Sequence, residues 1–487
     1  MRYTQRAGLL FVLLAFTYCY YYQDPQANGN SRLDLAFAIV QQGRLTIDTY
    51  YNAPETKTID WAYFNGYYYT DKAIGSSLIA AFFYTPLFHF LRLTGHQLSL
   101  LHIKYILTVL AISLPSAFAG SLVYVMCETI SGSRLRALLA TLAVTLGTMV
   151  LPFSAIFFGH QLAGAFCFTS FFLIFDLRLK PELRHKWGIS LLIGLCLGWA
   201  FLTEYTTAVI ILPCCLYYLY VIFEKGSLSW LRSTVLPFIL GAAIPLTILL
   251  TYDALAFGNP YMIGYTNIGS QFSAGMSQGF MGISWPRLDV LFYLTFHPAM
   301  GLFWQSPVLL LAVVGLYFLL RHPLYRIEGL VVLFAFVGYL LINAGYFMWW
   351  GGYSFGPRHL IPVLLFLAIP LVRLPRKLDP LVIVLVVISS AQMLITLSTI
   401  TLVPDQYFAN NPHLKFFGYS TIYDYSWKEL LAGNFAFSAG FMLLGLKKWA
   451  TLIPLILAIL AVLAFFIATE TLRRSGGHSV ACEPGEE

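Results

Sequence analysis

Residues 67–75 read YYYTDKAIG, which sets an acid and a base, Asp71 and Lys72, side by side where the apolar run Ile74 to Leu91 begins. A charge carried to the centre of a bilayer costs roughly 2.5 to 3.5 kcal/mol or more, so a charged pair at such an edge either anchors the chain or handles a charged group. Just upstream, DWAYFNGYYYTD carries Asn65-Gly66 between aromatic residues, the signal of a two-residue hairpin turn. With the turn there, Phe64 faces Tyr67, and Asp60 comes opposite Asp71. Facing carboxylates repel and need a cation between them. Lys72 is the nearest, and a bound metal is the less favoured alternative. Tyr67 to Tyr69 also suit an aromatic belt at a membrane surface.

A second group lies in NSRLDLAFAIVQQG, residues 30–43, which begins at Asn30 and has apolar residues at 33, 35, 37, 39 and 40. The pattern predicts a short amphipathic helix stopped by Gly43. Ser31 and Asp34, three apart at its start, fit a capping-box variant. They fit equally an anion site in which the helix N-terminus and Arg32 hold the anion beside Asp34. Farther along, His160 and Gln161 follow FFG, Glu204 and Tyr205 end one apolar run, Asp253 ends another, and Arg358 follows a glycine-rich turn in SFGPRHL. Taken singly, a histidine there is more often structural and an arginine there often snorkels. Several polar groups converging on one face make a stronger case than any one of them.

The elements that must position these residues are helices in a membrane. The 487 residues are 59% hydrophobic and 10% charged, outside the balance of ordinary soluble domains. The fold expected is an all-α polytopic membrane protein. The net charge of +7 comes from short basic clusters between apolar runs, as orientation signals do, so nucleic acid is set aside as a partner. Seven cysteines without a C-x-x-C give neither a disulfide framework nor a zinc site. Gly8 to Tyr22 reads as a retained signal anchor, and twelve further apolar runs, the last two at 434–446 and 449–470, bring the expectation to about thirteen spans. Parity then argues that 74–91 is an interfacial or re-entrant helix, because otherwise most basic clusters would leave the cytoplasm. Arg473 and Arg474 are the exception, since thirteen crossings put them outside. The large loops, 23–104, 255–301 and 403–433, fall on the extracytoplasmic face, and the glycine-rich second one suits a lid. One integral membrane domain, 1–474, with a disordered polar tail at 475–487, is the simplest organisation.

On NSRLDLAFAIVQQG, TDKAIGSSLIAAFFYTPL, FFGHQLAGA, FGNPYMIGYTNIGSQF, GLFWQSPVLLLAVVG and WWGGYSFGPRHLIP, the chain resembles the GT-C superfamily of membrane glycosyltransferases. Within it, the likeness is to the bacterial branch related to lipid A aminoarabinose transferases and protein O-mannosyltransferases. The resemblance implies transfer of a sugar from a polyprenyl-phosphate donor to a lipid, glycan or protein acceptor outside the cytoplasmic membrane. It implies Lys72 at the carrier phosphate and Arg32 as the arginine of the first external helix, with no cofactor required and a divalent metal not favoured. Relatives place a catalytic acid three residues before that arginine, where this chain has Gly29. Asp34 is then the expected base because it shares a helix with Arg32, with Asp71 second and Asp60 or Asp48 behind. Asn30, Asp60, His160 and Arg358 are the remaining candidates for contact with donor phosphate or sugar. A flippase or transporter would call for charges deep in the spans or repeated halves, and neither is apparent. A polysaccharide polymerase or ligase would use the same donor chemistry.

Overall fold

The computed structural model describes residues 3–180, 182–183, 187–224, 234–267, 272–352, 354–403 and 420–477. The chain is mostly helical, and among the described residues eight helices are long and apolar enough to cross a membrane: Gly75–Thr94, Leu100–Ser131, Gly159–Leu179, Tyr205–Phe223, Leu236–Phe257, Arg326–Gly345, Arg376–Ser398 and Lys448–Thr471. Shorter apolar helices, Trp187–Thr203, Val308–Leu320 and Arg358–Leu371, complete the bundle with Tyr3–Tyr20 and Arg134–Thr145. It is a multi-pass membrane protein. Lipid offers no hydrophobic drive between helices, so close backbone approach takes over. A Cβ on Gly194 would fall 2.0 Å from the Phe238 carbonyl oxygen, and one on Gly241 2.0 Å from that of Leu191. The Trp187–Thr203 and Leu236–Phe257 helices therefore touch main chain to main chain.

Contacts fix which end of the bundle each helix starts from. The first helix ends beside the start of the Leu100–Ser131 helix, where the Tyr22 and Tyr105 rings are 5.9 Å apart. At their opposite ends, Arg6 pairs with Glu128 at 2.5 Å. The chain thus leaves and re-enters the bundle at one end, and the single apolar helix between, Gly75–Thr94, does not cross. This agrees with the parity reading. Its first half packs inward through Ser76, Ala80 and Tyr84, while Phe82, Phe90 and Leu93 are exposed.

The run 434–446 is not a span. It yields only Ala439–Leu444, six residues, about 9 Å of helix against a hydrocarbon core of about 30 Å. It stays at the loop end, where Tyr22 donates its amide to the Phe437 carbonyl. The last helix then starts at that end, with Thr451 2.9 Å from the Tyr21 hydroxyl, and runs to the far end, where Phe466 packs on Tyr124 beside Arg6. The expected thirteen crossings lose one, and residue 466 lies at the end where the chain starts. The last helix continues to Gly477. Arg184, Lys186, Lys225, Arg232, most of the third loop and residues 478–487 of the tail fall outside the described residues.

In the first loop the helix begins earlier than the apolar pattern suggests. It spans Gln26–Phe37 after Pro25, continues as a wider turn through Gln42, and stops at Gly43 in the left-handed conformation. Pro25 needs no amide partner, which suits a helix start. Ser31 is therefore in the second turn, and its hydroxyl meets Thr70 Oγ1 at 2.7 Å. The capping-box and helix-terminus readings of Ser31 and Asp34 both fail on this shift. Nor is the helix amphipathic in place, since Asn28 through Phe37 are all buried.

Candidate functional site

The hairpin forms in the register the Asn-Gly turn dictates. Asn65 and Gly66 have φ of 50° and 88°, and Trp61 pairs with Thr70 through to Phe64 with Tyr67. One step beyond the ladder, Asp60 and Asp71 flank the Lys72 ammonium, whose Nζ is 3.2 Å from Asp60 Oδ2 and 3.1 Å from Asp71 Oδ2. All three are largely buried. Burial alone would draw the lysine down, but Asp60 and Asp71 outweigh it and hold Lys72 above its usual range, fully charged. Burial pushes the Asp71 carboxyl up to about 6, with Asp60 adding to the shift and Lys72 opposing it. Asp71 Oδ2 is on the lysine, and Oδ1 is buried without a partner.

Arg32 lies alongside with every guanidinium nitrogen engaged. Nη2 meets Glu204 Oε1 at 2.5 Å, Nη1 donates to Ala73 O, Ser76 Oγ and Thr203 O, and Nε donates to Asn28 Oδ1. Arg32 ties the Gln26–Phe37 helix to the starts of two others and is wholly buried. Glu204 also faces His160 Nδ1 at 3.4 Å. The His160 and His359 rings are 5.2 Å apart, edge to face, and His359 in turn lies 5.5 Å from the Tyr346 ring. Arg358 sits over the Phe158 ring at 5.1 Å, within electrostatic reach of Asp60, Glu204 and Arg32. Its Nε has no hydrogen-bond partner. The second large loop covers the hairpin end. A Cβ on Gly264 would lie 2.8 Å from the Thr70 carbonyl oxygen, and the Lys72 ammonium is 6.0 Å from the Tyr265 ring centroid.

The structure thus gathers Arg32, Asp60, Asp71, Lys72, His160 and Arg358, and adds Glu204, Tyr265, Tyr346 and His359. It leaves Asp34 and Asn30 on the far side of their helix. Two residues along a helix turn about 200°, so Asp34 faces away from Arg32. There, Asn30 Oδ1 accepts from Lys104 Nζ at 2.9 Å, and Lys104 also donates to the Glu55 carbonyl. Both Asp34 oxygens are buried without partners, and burial pushes the carboxyl up to about 8, which Lys104 only partly opposes. At neutral pH Asp34 holds its proton and cannot accept another. Gly29, where the sequence resemblance implies an acid, has no room for a side chain: a Cβ would lie 2.2 Å from Pro25 Cβ and 2.5 Å from the Phe157 carbonyl oxygen.

Glu204 was legible as a polar residue ending an apolar run, but its partner lies 172 positions away and no local pattern pairs them. Among the described residues, no group of three or more His, Cys, Asp or Glu side chains is placed to hold a metal ion. No family model matches the sequence, and no curated protein matches it. Among solved structures, the chain is similar to two crystal structures of ArnT from Cupriavidus metallidurans. The one bound to undecaprenyl phosphate aligns with a TM-score of 0.47 and 13% identity, over 81% of this chain and 70% of that one. The apo state aligns with a TM-score of 0.45 and 13% identity, over 82% of this chain and 64% of that one.

Proposed function

We propose that the protein is a GT-C-type glycosyltransferase. It transfers a sugar from a polyprenyl-phosphate donor to a hydroxyl of a lipid, glycan or protein acceptor, on the extracytoplasmic face of a bacterial cytoplasmic membrane. The observation that carries this reading is the buried Lys72 held between Asp60 and Asp71 at one end of a membrane bundle, with Arg358 and a covering loop beside it. Charged groups in such surroundings are rare even when they pair with one another, as these do, and they commonly meet a charged group of the substrate. A lipid phosphate brings one, and the sequence resemblance points to the same donor.

In this mechanism the acceptor oxygen forms a bond to the anomeric carbon as the bond from that carbon to the phosphate oxygen breaks. The electron pair leaves with the phosphate, whose charge Lys72 and Arg358 stabilise. Asp71 Oδ1 takes the acceptor proton, because it is the free carboxylate oxygen next to the cations and its protonation midpoint near 6 leaves it ionised at neutral pH. Arg32 and Glu204 act on each other and hold the helices that carry the site. The displacement inverts the anomeric centre. Lys72 already supplies the cation that the two aspartates need, so transfer runs without a divalent metal and EDTA leaves it intact.

Purified protein in lipid, given polyprenyl-phosphate donors with labelled sugars, tests this. Wild type transfers; Lys72→Ala and Asp71→Asn fold yet lose at least about 100-fold in kcat/KM, roughly 2.7 kcal/mol of transition-state stabilisation. Asp34→Asn stays within a few-fold of wild type. Movement of the lipid across the bilayer with no transfer to any acceptor would replace the reading with a flippase.

A further inference from the structure

Beside the cations lies a group of buried polar atoms that have no partner and no charge to satisfy. His160 turns Nδ1 toward Glu204, and a carboxylate there favours the tautomer with the proton on Nδ1. Nε2 is then a bare acceptor, and it is buried without a partner. The next residue, Gln161, is wholly buried, and neither its amide oxygen nor its amide nitrogen has a hydrogen bond. Its direction follows from helix geometry. Gly164 and Phe168, one and two turns on, pack on Pro362 and Phe366, so Gln161 looks toward the Arg358–Leu360 turn that opens the same segment. His359 in that turn adds Nε2, also buried and without a partner, and leans against the Tyr346 ring.

Buried polar groups in native proteins are nearly always hydrogen-bonded, and a group of unmet ones beside the charged residues of a candidate site marks where a polar ligand goes. An imidazole acceptor next to an amide that both donates and accepts matches neighbouring hydroxyls, which also do both. Neither group can neutralise a charge. The carboxylates at hand are committed, Glu204 to Arg32 and His160 and Asp60 and Asp71 to Lys72, and in the proposed mechanism Asp71 Oδ1 takes the acceptor proton while Arg358 serves the phosphate. We propose that His160, Gln161 and His359 form the subsite for the donor's sugar ring, and that it takes a neutral, hydroxylated sugar in preference to an amino sugar or a uronic acid. This rests on the polyprenyl-phosphate reading above and names the sugar class that reading leaves open.

The experiment compares binding of three ligands by the full-length protein in lipid nanodiscs: bare polyprenyl phosphate, the same lipid bearing a neutral hexose, and the same lipid bearing an amino sugar or a hexuronate. Wild type is expected to bind the neutral-sugar lipid at least about 10-fold more tightly than either charged-sugar lipid. Gln161→Leu, of similar volume, and His359→Phe are expected to keep the affinity for bare polyprenyl phosphate within about 3-fold and to lose the gain from the neutral sugar. Two variants on different helical segments guard against one failing to fold, and retained lipid-phosphate binding reports that the site is intact. Equal or tighter binding of a charged-sugar lipid by wild type, or an unchanged neutral-sugar preference in both variants, overturns the subsite while leaving the transferase reading in place. Failure of wild type to bind any of the three overturns that reading and the subsite with it.

Discussion

In the proposed mechanism, burial divides two carboxylates, Asp71 and Asp34, by role. Both are pushed up by desolvation, Asp71 to about 6 and Asp34 to about 8. A base must be ionised to accept a proton, so kcat/KM is expected to fall about tenfold per pH unit below roughly 6 and to level off above it. The profile of the free enzyme checks this, and an acid limb that persists unchanged in Asp71→Asn would assign it to another group. For Asp34 the sign concerns stability. Its folded-state midpoint lies above the ordinary value of 3.8, so the folded state keeps a proton that the unfolded chain gives up. Stability is therefore lost as pH rises from about 4 to about 8, by an amount on the order of 5 kcal/mol. Asp34→Asn, neutral at every pH, is expected to flatten that loss; thermal unfolding in detergent between pH 5 and pH 9 would refute this if wild type and variant fall in parallel. The sequence reading took Asp34 as base because it shares a helix with Arg32. Sharing a helix with Arg32 says nothing of sharing a face, and here the two point in opposite directions. Arg32 was expected to contact the donor, but the sequence did not show it already saturated by Glu204 and three carbonyl or hydroxyl oxygens. Breaking such a buried pair costs about 3–5 kcal/mol, so inactivity of Arg32→Ala would report on folding as much as on substrate.

At the level of elements, turn chemistry is local and was therefore legible, and helix starts were not. Asn65-Gly66 alone set the register that brings Asp60, Asp71 and Lys72 together, because a two-residue turn leaves no freedom in which residues face. The start of the first loop helix was misjudged because the periodic apolar residues begin at Leu33, while Pro25 starts the helix two turns earlier without any hydrophobic signal. Gly29 sits where the helix passes so close to the 157–158 segment that a Cβ would collide with the Phe157 carbonyl oxygen. Gly29→Asp, which would place the acid that the sequence resemblance implies, is expected to destabilise the protein by about 1–3 kcal/mol and to give no gain in transfer. Gly29→Ala should show most of the same loss. Full stability of Gly29→Asp, or higher activity, would mean that the helix can shift to admit a side chain and that the base belongs there after all.

For the whole molecule, the charges at the end away from the site tie the helices to one another. Arg6 pairs with Glu128, Arg178 with Glu328 and Arg136 with Asp379, at 2.5, 2.6 and 3.0 Å, each joining two helices. The partners in all three pairs lie more than a hundred residues apart, and hydropathy contains nothing of such pairing. Hydropathy did find the spanning helices, because length and apolar content are one-dimensional properties. It failed at 434–446, where a run apolar enough by composition breaks at Gly445 after six helical residues. Removing that crossing moves Lys447 and Lys448 to the loop end and carries Arg473 and Arg474 toward the end that holds Arg6, so the basic balance is kept and the earlier exception disappears. Reporter fusions test the consequence directly. A green fluorescent protein fused after residue 477 should fluoresce and alkaline phosphatase at the same point should be inactive, while alkaline phosphatase inserted between Gly445 and Lys448 should be active. The reverse pattern would restore the thirteenth crossing and require the last helix to run the other way, which the Tyr21 to Thr451 hydrogen bond and the packing of Phe466 on Tyr124 do not allow.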